Sequence, residues 1–299
     1  MYVVLGASGN TGHVVASQLL SNGKKTRVVG RNPDHLQFLA AKGGEIFAAD
    51  LTDAQAVTRA FQGAESAYVL IPPNPTSNDF RAYQERVTDA IAKAARDAGV
   101  KNIVSLSSIG ADKSSGTGPV VGLHNFEQKL NQIDGANVLH LRPGSFMENT
   151  LPLAAAILKM GFAVGPVRPD LKLPMIFTCD IGKAAAGELL RLEFRGKQTR
   201  ELHGQRDLDY MEVASIIGKA IGKPDLKYIH ASDDQVRPAL VQSGMSDNPA
   251  GLIIEMAHAL NSGHMRPLEP RNERNTTETK YEDFVAEFFV PAYQQQVAA

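Results

Sequence analysis

The sequence predicts an α/β protein: a doubly wound parallel-sheet Rossmann fold with a smaller α-rich carboxyl-terminal lobe. Three observations carry the prediction. Short β-branched runs alternate with amphipathic stretches over the first half of the chain, in the rhythm of βαβ units. A glycine-rich turn joins the first such run to the first amphipathic stretch. Near residue 150 the rhythm gives way to a stretch interrupted by Pro152, Pro166, Pro169 and Pro174. The expected division is therefore 1–149 for the sheet domain and 150–299 for the smaller substrate- or partner-binding lobe, with part of 175–192 returning to the core.

Taken in order, the strands fall at about 2–6, 26–30, 45–48, 66–71, 102–107 and 137–142. Helices are expected between them at about 11–22, 34–42, 53–62, 79–98 and 119–133. The helix at 79–98 shows the basis. Phe80, Tyr83, Val87, Ile91, Ala94 and Ala98 recur at three- and four-residue steps, and Gly99 follows as a stop. Six strands joined by helices imply right-handed crossovers with helices on both faces of the sheet. In the second half a helix follows Asp180, then a strand and helix around 199–221, then helical patterns near 233–243 and 250–262. Only the Gln294–Gln296 tail is low in complexity.

Composition narrows the function classes. The 299 residues are 43% hydrophobic and 21% charged, ordinary for a chain that buries a real core. A net charge of -1 gives no electrostatic reason to expect nucleic acid or an anionic membrane as partner. A single cysteine, Cys179, can form neither an internal disulfide nor a zinc knuckle, so a reducing cytoplasmic setting is expected. No apolar run approaches the roughly 20 residues of a membrane span. Residues 2–5 already read as a strand, so no signal or transit peptide is expected before the fold. The eight histidines show no His-Glu-x-x-His pattern, and no metal site is expected. Phosphate-loop ATPase and Gly-x-Ser-x-Gly hydrolase motifs are absent as well. The expected partner is a small hydrophobic molecule, and homodimerisation stays open.

The strongest chemical signal is Gly6-Ala7-Ser8-Gly9-Asn10-Thr11-Gly12, directly after a strand and before a helix. Glycines there permit a tight turn and close approach of the backbone to a pyrophosphate. The helix amino terminus adds N–H groups and partial positive charge, and Ser8, Asn10 and Thr11 offer side-chain donors. The second strand ends Gly30-Arg31-Asn32, with no carboxylate between Gly12 and Asp34. An acidic residue there would select NAD through the ribose hydroxyl, whereas a guanidinium suits the 2′-phosphate of NADP(H). The bland alternative for Arg31 is a solvated side chain before Pro33. Asp50, after the third strand, is a candidate for the adenine or for the cap of the next helix. Ile71 and Pro72, with Pro73, are expected to shape the nucleotide wall.

These features, with Asp50-Leu51-Thr52, Ser107-Ser108 and Leu141-Arg142-Pro143-Gly144-Ser145-Phe146-Met147-Glu148-Asn149, resemble the atypical short-chain dehydrogenase/reductases. Within that superfamily the chain resembles the NmrA-like group, which contains NADPH-dependent quinone and azo- or triphenylmethane-dye reductases and also NADP-sensing regulators without turnover. The resemblance implies cofactor contacts at Leu51, Pro143 and Gly144, and places Phe146 and Met147 against the nicotinamide or acceptor, although either suits a core equally; Ser107 and Ser108 suit the nicotinamide ribose or the cap of a turn. Ile176-Phe177-Thr178-Cys179-Asp180 resembles the family's return to the core, with Asp180 as a helix cap.

One departure matters. The superfamily's carbonyl reductases use a Tyr-x-x-x-Lys pair, and none of the seven tyrosines here has lysine four residues on. If Glu127 is matched with the family's helix glutamate, Pro119 and Leu123 occupy the two positions. His124, beside the apolar line Leu123, Phe126, Leu130 and Ile133, is the remaining catalytic candidate, as a donor to an acceptor oxygen. Its alternative is a surface or helix-capping histidine. Two functions remain: a reductase passing hydride to an apolar conjugated acceptor, or a non-catalytic NADP(H) sensor.

Overall fold

The structure, a computed structural model, describes residues 1–298. β1 (Tyr2–Leu5) runs through a tight turn into α1 (Gly12–Ser21), and β2 (Thr26–Gly30) returns parallel to β1 with Leu5 opposite Val29. A 3₁₀ turn at Pro33–Leu36 and a single helical turn, α2 (Gln37–Ala40), lead to β3 (Glu45–Ala48). The helix expected at 34–42 is thus split. Asn32 accepts the Asp34 N–H at 2.9 Å while Pro33 fixes the start of the turn. Next come α3 (Ala54–Phe61), β4 (Ser66–Val69), α4 (Phe80–Asp97), β5 (Asn102–Leu106), α5 (Val120–Asn131) and β6 (Asn137–Pro143), all close to their expected bounds. α4 buries Phe80, Tyr83, Val87, Ile91 and Ala94, the face its periodicity marks.

Past residue 144 the chain alternates between two bodies. β7 (Ser145–Phe146), α6 (Leu153–Met160), β8 (Ala163–Gly165) and β9 (Leu173–Ile176) start the second lobe. α7 (Thr178–Arg191) then lies against α1, where a side chain on Gly182 would press into Val14. β10 (Lys197–Leu202) pairs parallel with β6 from Val138 to Pro143. The main sheet therefore has seven strands, in the order β10-β6-β5-β4-β1-β2-β3, where six are expected. The return spans 178–202 and not merely part of 175–192. β10 is the strand expected around 199; it reads Lys-Gln-Thr-Arg-Glu-Leu with its first three residues exposed, so no apolar run marks it as the edge of the main sheet.

β11 (Asp207–Leu208), α8 (Tyr210–Ala220), β12 (Tyr228–His230), α9 (Asp233–Gln242) and α10 (Asp247–Asn261) complete most of the lobe. After an irregular strap at 262–280 come α11 (Tyr281–Phe284), a π-helical turn at Val285–Phe289, and α12 (Val290–Ala298). The low-complexity tail lies in α12. Two small sheets, β11-β9-β7 and β12-β8, brace the lobe.

Three apolar clusters follow from this layering. Val57, Phe61, Val87, Ile91, Phe126 and Leu130 fill one face of the sheet. Val15, Leu19, Tyr68, Ile181 and Leu189 fill the other, as a doubly wound sheet requires. Met147, Ile157, Met175, Ile217, Tyr281, Phe284 and Phe289 form the lobe's own core. α10 joins the two bodies: Leu252 enters the first cluster, Asn248 Oδ1 accepts the Phe80 N–H at 2.9 Å, and Glu255 pairs with Arg81 at 3.2 Å. Among the described residues no helix is long and apolar enough to cross a membrane.

Candidate functional site

The glycine turn sits at the carboxyl end of β1, as its sequence position requires. Gly6 has φ +60° and its carbonyl accepts the Gly9 N–H at 2.9 Å, closing the turn. A Cβ on Gly12 would overlap the Gly6 carbonyl oxygen, so only glycine lets the helix start this close to the strand. Ser8, Gly9 and Asn10 are exposed. The N–H groups of Asn10, Thr11 and Gly12 find no acceptor among the described residues. Unpaired N–H groups at a helix start, with no side chain crowding them, fit the pyrophosphate of a dinucleotide. Thr11 is buried, and its hydroxyl oxygen accepts from the Tyr68 hydroxyl at 2.8 Å, which ties it to the sheet.

Arg31 and Asp50 come together at the ends of β2 and β3. Arg31 is exposed and has no ion-pair partner among the described residues. The Thr52 N–H, and to a smaller degree the nearby Arg31 guanidinium, hold the Asp50 carboxyl below the usual carboxylate range. Asp50 is not the cap of α3. Its Oδ1 accepts from Thr52 N and Oγ1 at 2.8 and 2.7 Å, whereas Asp53 caps the helix through Gln55 and Ala56. Leu51 is buried among the sheet core. Ile71 and Pro72 are half-buried after β4, and the Pro72 carbonyl accepts from the Tyr83 hydroxyl at 3.1 Å.

Farther along the carboxyl ends of the strands, the expected cofactor and acceptor residues each have partners elsewhere in the protein. Ser107 is buried and donates its hydroxyl to Glu127 at 2.5 Å. Glu127 also receives Arg142 Nε at 2.8 Å and Nη2 at 2.5 Å, so a buried fork fills this corner. Ser108 donates to the Ile109 carbonyl at 2.9 Å. Pro143 ends β6 opposite Leu202, and a side chain on Gly144 would overlap the Pro174 carbonyl, so this pair is explained by backbone packing. Met147 is 1% exposed in the lobe core, which removes it from contact with an acceptor. Phe146 is half-buried, paired with Ile176 across β7 and β9 and packed on the second sheet cluster. His124 is half-buried with Nδ1 2.9 Å from the Ala111 carbonyl. A carbonyl only accepts, so Nδ1 carries a proton and donates it to this bond.

A cavity of about 730 Å³ opens elsewhere, beside Asn10. His13, Thr178, Cys179 and Lys183 from α1 and α7 line one side, and Phe284 and Phe288 from the carboxyl-terminal segment line the other. Glu148 and Phe177 also line it. Glu148 organises this region. Phe177 occupies the cap position of α7 and has no side-chain oxygen to offer, so Glu148 accepts the Thr178 N–H at 3.1 Å and the Thr178 hydroxyl. Burial pushes its carboxyl above the usual range, opposed by these bonds. Asp180, expected as the cap, sits within the first turn instead. It accepts Thr279 N–H at 3.3 Å and Lys183 Nζ at 3.4 Å, pinning the strap to α7. Burial also raises the Cys179 thiol. His124, Phe146 and Met147 do not line this cavity. Its far wall lay outside the sequence reading, although Phe284 and Phe288, one helical turn apart, were the available signal.

Comparison with known proteins identifies the family and the fold. A sequence profile described as the NmrA-like family matches residues 2–289. Quinone oxidoreductase 2 of Escherichia coli (strain K12) is 31% identical over 260 residues, covering 85% of this chain and 86% of that protein. An NAD(P)H azoreductase of Xenophilus azovorans is 27% identical over 256 residues, 86% of each. The crystal structure of an NADPH-dependent quinone oxidoreductase from Escherichia coli, complexed with NADPH, superposes with TM-score 0.81 at 26% identity over 97% of this chain and all of that one. Citrobacter sp. triphenylmethane reductase complexed with NADP(H) shares the fold, with TM-score 0.74 at 20% identity over 100% of both chains.

Proposed function

The chain belongs to the NmrA-like family, and on that premise we propose that it is an NADPH-dependent reductase of a small conjugated acceptor such as a quinone or dye. The observation that carries the proposal is the cavity that begins at Asn10 of the glycine turn and ends on Phe284 and Phe288 of the second lobe. A dinucleotide bound on the turn and an aromatic molecule in the cavity would lie side by side. When bound, a reduced nicotinamide supplies two electrons and one hydrogen to such an acceptor.

The chain's own contribution is mainly positioning. Gly6, Gly9 and Gly12 clear space for phosphates, and the α1 amide groups bind them. Arg31 takes the 2′-phosphate, with Asp50 on the adenosine side. Phe177 and Phe288 hold a flat ring and displace water from it, with the buried Phe284 packed behind them. No Tyr-x-x-x-Lys pair is needed, because holding two reactants in contact is itself a large rate factor for an easily reduced acceptor. His124 is assigned to anchoring the Ala111 loop.

Steady-state NADPH oxidation over a panel of quinones, azo dyes and triphenylmethane dyes tests the reading. Tight NADPH binding with no oxidation by any of them would replace it with a nucleotide sensor, the reading that the missing acid pair favours. Nucleotide choice has its own measurement. Arg31→Ala should weaken NADPH by about 1.5–3 kcal/mol, the worth of a charge-assisted contact, and leave NADH nearly unchanged. Equal NADPH and NADH affinities in the native protein would remove the Arg31 assignment.

A further inference from the structure

β10 is the last strand of the main sheet, and part of its outer edge is open. The Gly196 and Leu202 carbonyls accept from β6 and the residue after it, so even-numbered residues face the sheet and odd-numbered ones face away. The Glu201 N–H goes outward to the Glu269 carboxylate at 3.1 Å, and the His203 N–H to the Asn275 carbonyl at 2.7 Å. The strap therefore covers the edge from Glu201 onward. Lys197 and Thr199 are exposed, and their outward N–H and C=O groups have no partner among the described residues. Sheets commonly guard such an edge with a lysine. Lys197 does not serve, because its ammonium is drawn onto the Ile133 and Ala136 carbonyls at 2.7 and 2.8 Å. A cavity of about 360 Å³ adjoins the same stretch, lined by Arg191, Arg200 and Arg274 with Glu188 and Glu193. Glu188 is buried and already shared between Arg191 and Arg200, the latter at 2.7 Å. Arg274 is exposed and in no ion pair among the described residues, and Arg195 adds another exposed cation just before the strand. Positive charge is in excess beside an unpaired backbone.

We infer that β10 pairs with an extended acidic segment of a partner protein, which adds a strand to the seven of the main sheet and places carboxylates in the arginine-lined cavity. Backbone bonds to Lys197 and Thr199 supply the attachment. Alternate side chains, all on one face of the added strand, supply the selection. A guanidinium carries five N–H donors, so Arg274 and the exposed Arg191 have several left for a carboxylate. A basic segment would meet the same groups unfavourably. The glycine turn and the aromatic cavity are built from other residues, so binding here requires no NADPH turnover.

Fluorescence anisotropy of the full chain with a labelled heptapeptide of alternating Glu and Val, and with its Lys-Val counterpart, tests this. The acidic peptide should bind about tenfold tighter than the basic one, and added salt should weaken it. N-methylation of its backbone amides should cut affinity about tenfold, because an added strand is held through those groups. Thr199→Pro removes one outward N–H and costs β10 no bond to β6, so the sheet should persist while affinity falls about tenfold. Arg274→Glu should weaken binding about fivefold. Should Thr199→Pro fail to fold, the N-methylated peptide decides. Equal affinity for the two peptides, binding of neither, or acidic binding that withstands N-methylation or a folded Thr199→Pro overturns the inference. Self-association that Thr199→Pro abolishes, with no peptide bound, would also overturn it and give the edge to a second copy of this chain.

Discussion

The amino-terminal sheet and the carboxyl-terminal lobe are held together by different means. In the sheet, neighbours in space are mostly neighbours in sequence: β1 pairs β2, β2 pairs β3, β4 pairs β5 and β5 pairs β6. Apolar faces do most of the joining there. In the lobe, short elements are fixed by polar contacts from far along the chain. Glu201 accepts Leu268 N–H at 2.9 Å, Glu269 N–H at 3.0 Å and His203 Nε2 at 2.9 Å, fastening the strap to the end of β10. Asp180 and Glu148 do the same at α7. Periodicity therefore reports the first body well and the second poorly, and the candidate site lies where they meet.

Four measurements test that contrast. The largest is expected where backbone approaches backbone. Gly12→Ala should cost about 4 kcal/mol, because the new methyl meets the Gly6 carbonyl rather than a side chain that can turn away. Urea unfolding measures it. A loss under 1 kcal/mol would mean that the strand–helix junction relaxes easily.

Acid should find the sheet's weak point. His140, buried in β6, receives the Ser105 hydroxyl at 2.6 Å and donates Nε2–H to Asn131 at 2.9 Å, and burial pushes its pKa down to about 4. Its neutral form is the one that fits. Above its ordinary value of 6.5 the group therefore leaves stability intact. As pH falls from there toward about 4, the unfolded chain takes up the proton first and stability declines by about 3 kcal/mol. His140→Gln should flatten that part of the melting-temperature profile. An unchanged slope would place the acid sensitivity elsewhere.

Glu201→Gln keeps the shape but turns one acceptor into a donor facing amide N–H groups. A loss of about 2 kcal/mol is expected, with new proteolysis confined to 262–280 and the sheet domain intact. Cleavage spreading into the sheet would show that the bodies unfold as one. The smallest effect should come from His124→Ala, which removes one hydrogen bond, about 1 kcal/mol, and leaves kcat within about threefold. A fall of 10- to 1,000-fold would restore His124 to the acceptor, since that is the cost of a lost transition-state contact.

The sequence alone determined what depends on local rules. Alternating β-branched and amphipathic runs set the first six strands, and the glycine spacing set the turn before α1, because side-chain period and backbone freedom are properties of neighbouring residues. The Gly-x-x-Gly-x-x-Gly spacing and Arg31 likewise marked the end of the sheet to which we assign the dinucleotide. Partnerships across distance arise only when the chain folds. Ser107 meets Glu127, Met147 meets the lobe core, and Gly144 meets Pro174. Glu148, not Asp180, caps α7, and a polar edge strand completes the sheet. Nothing in the period or propensity of those residues encodes the partner, which is chosen by long-range packing and by the need to satisfy buried polar groups. The aromatic cavity is of that kind, assembled from residues as far apart as Asn10 and Phe288.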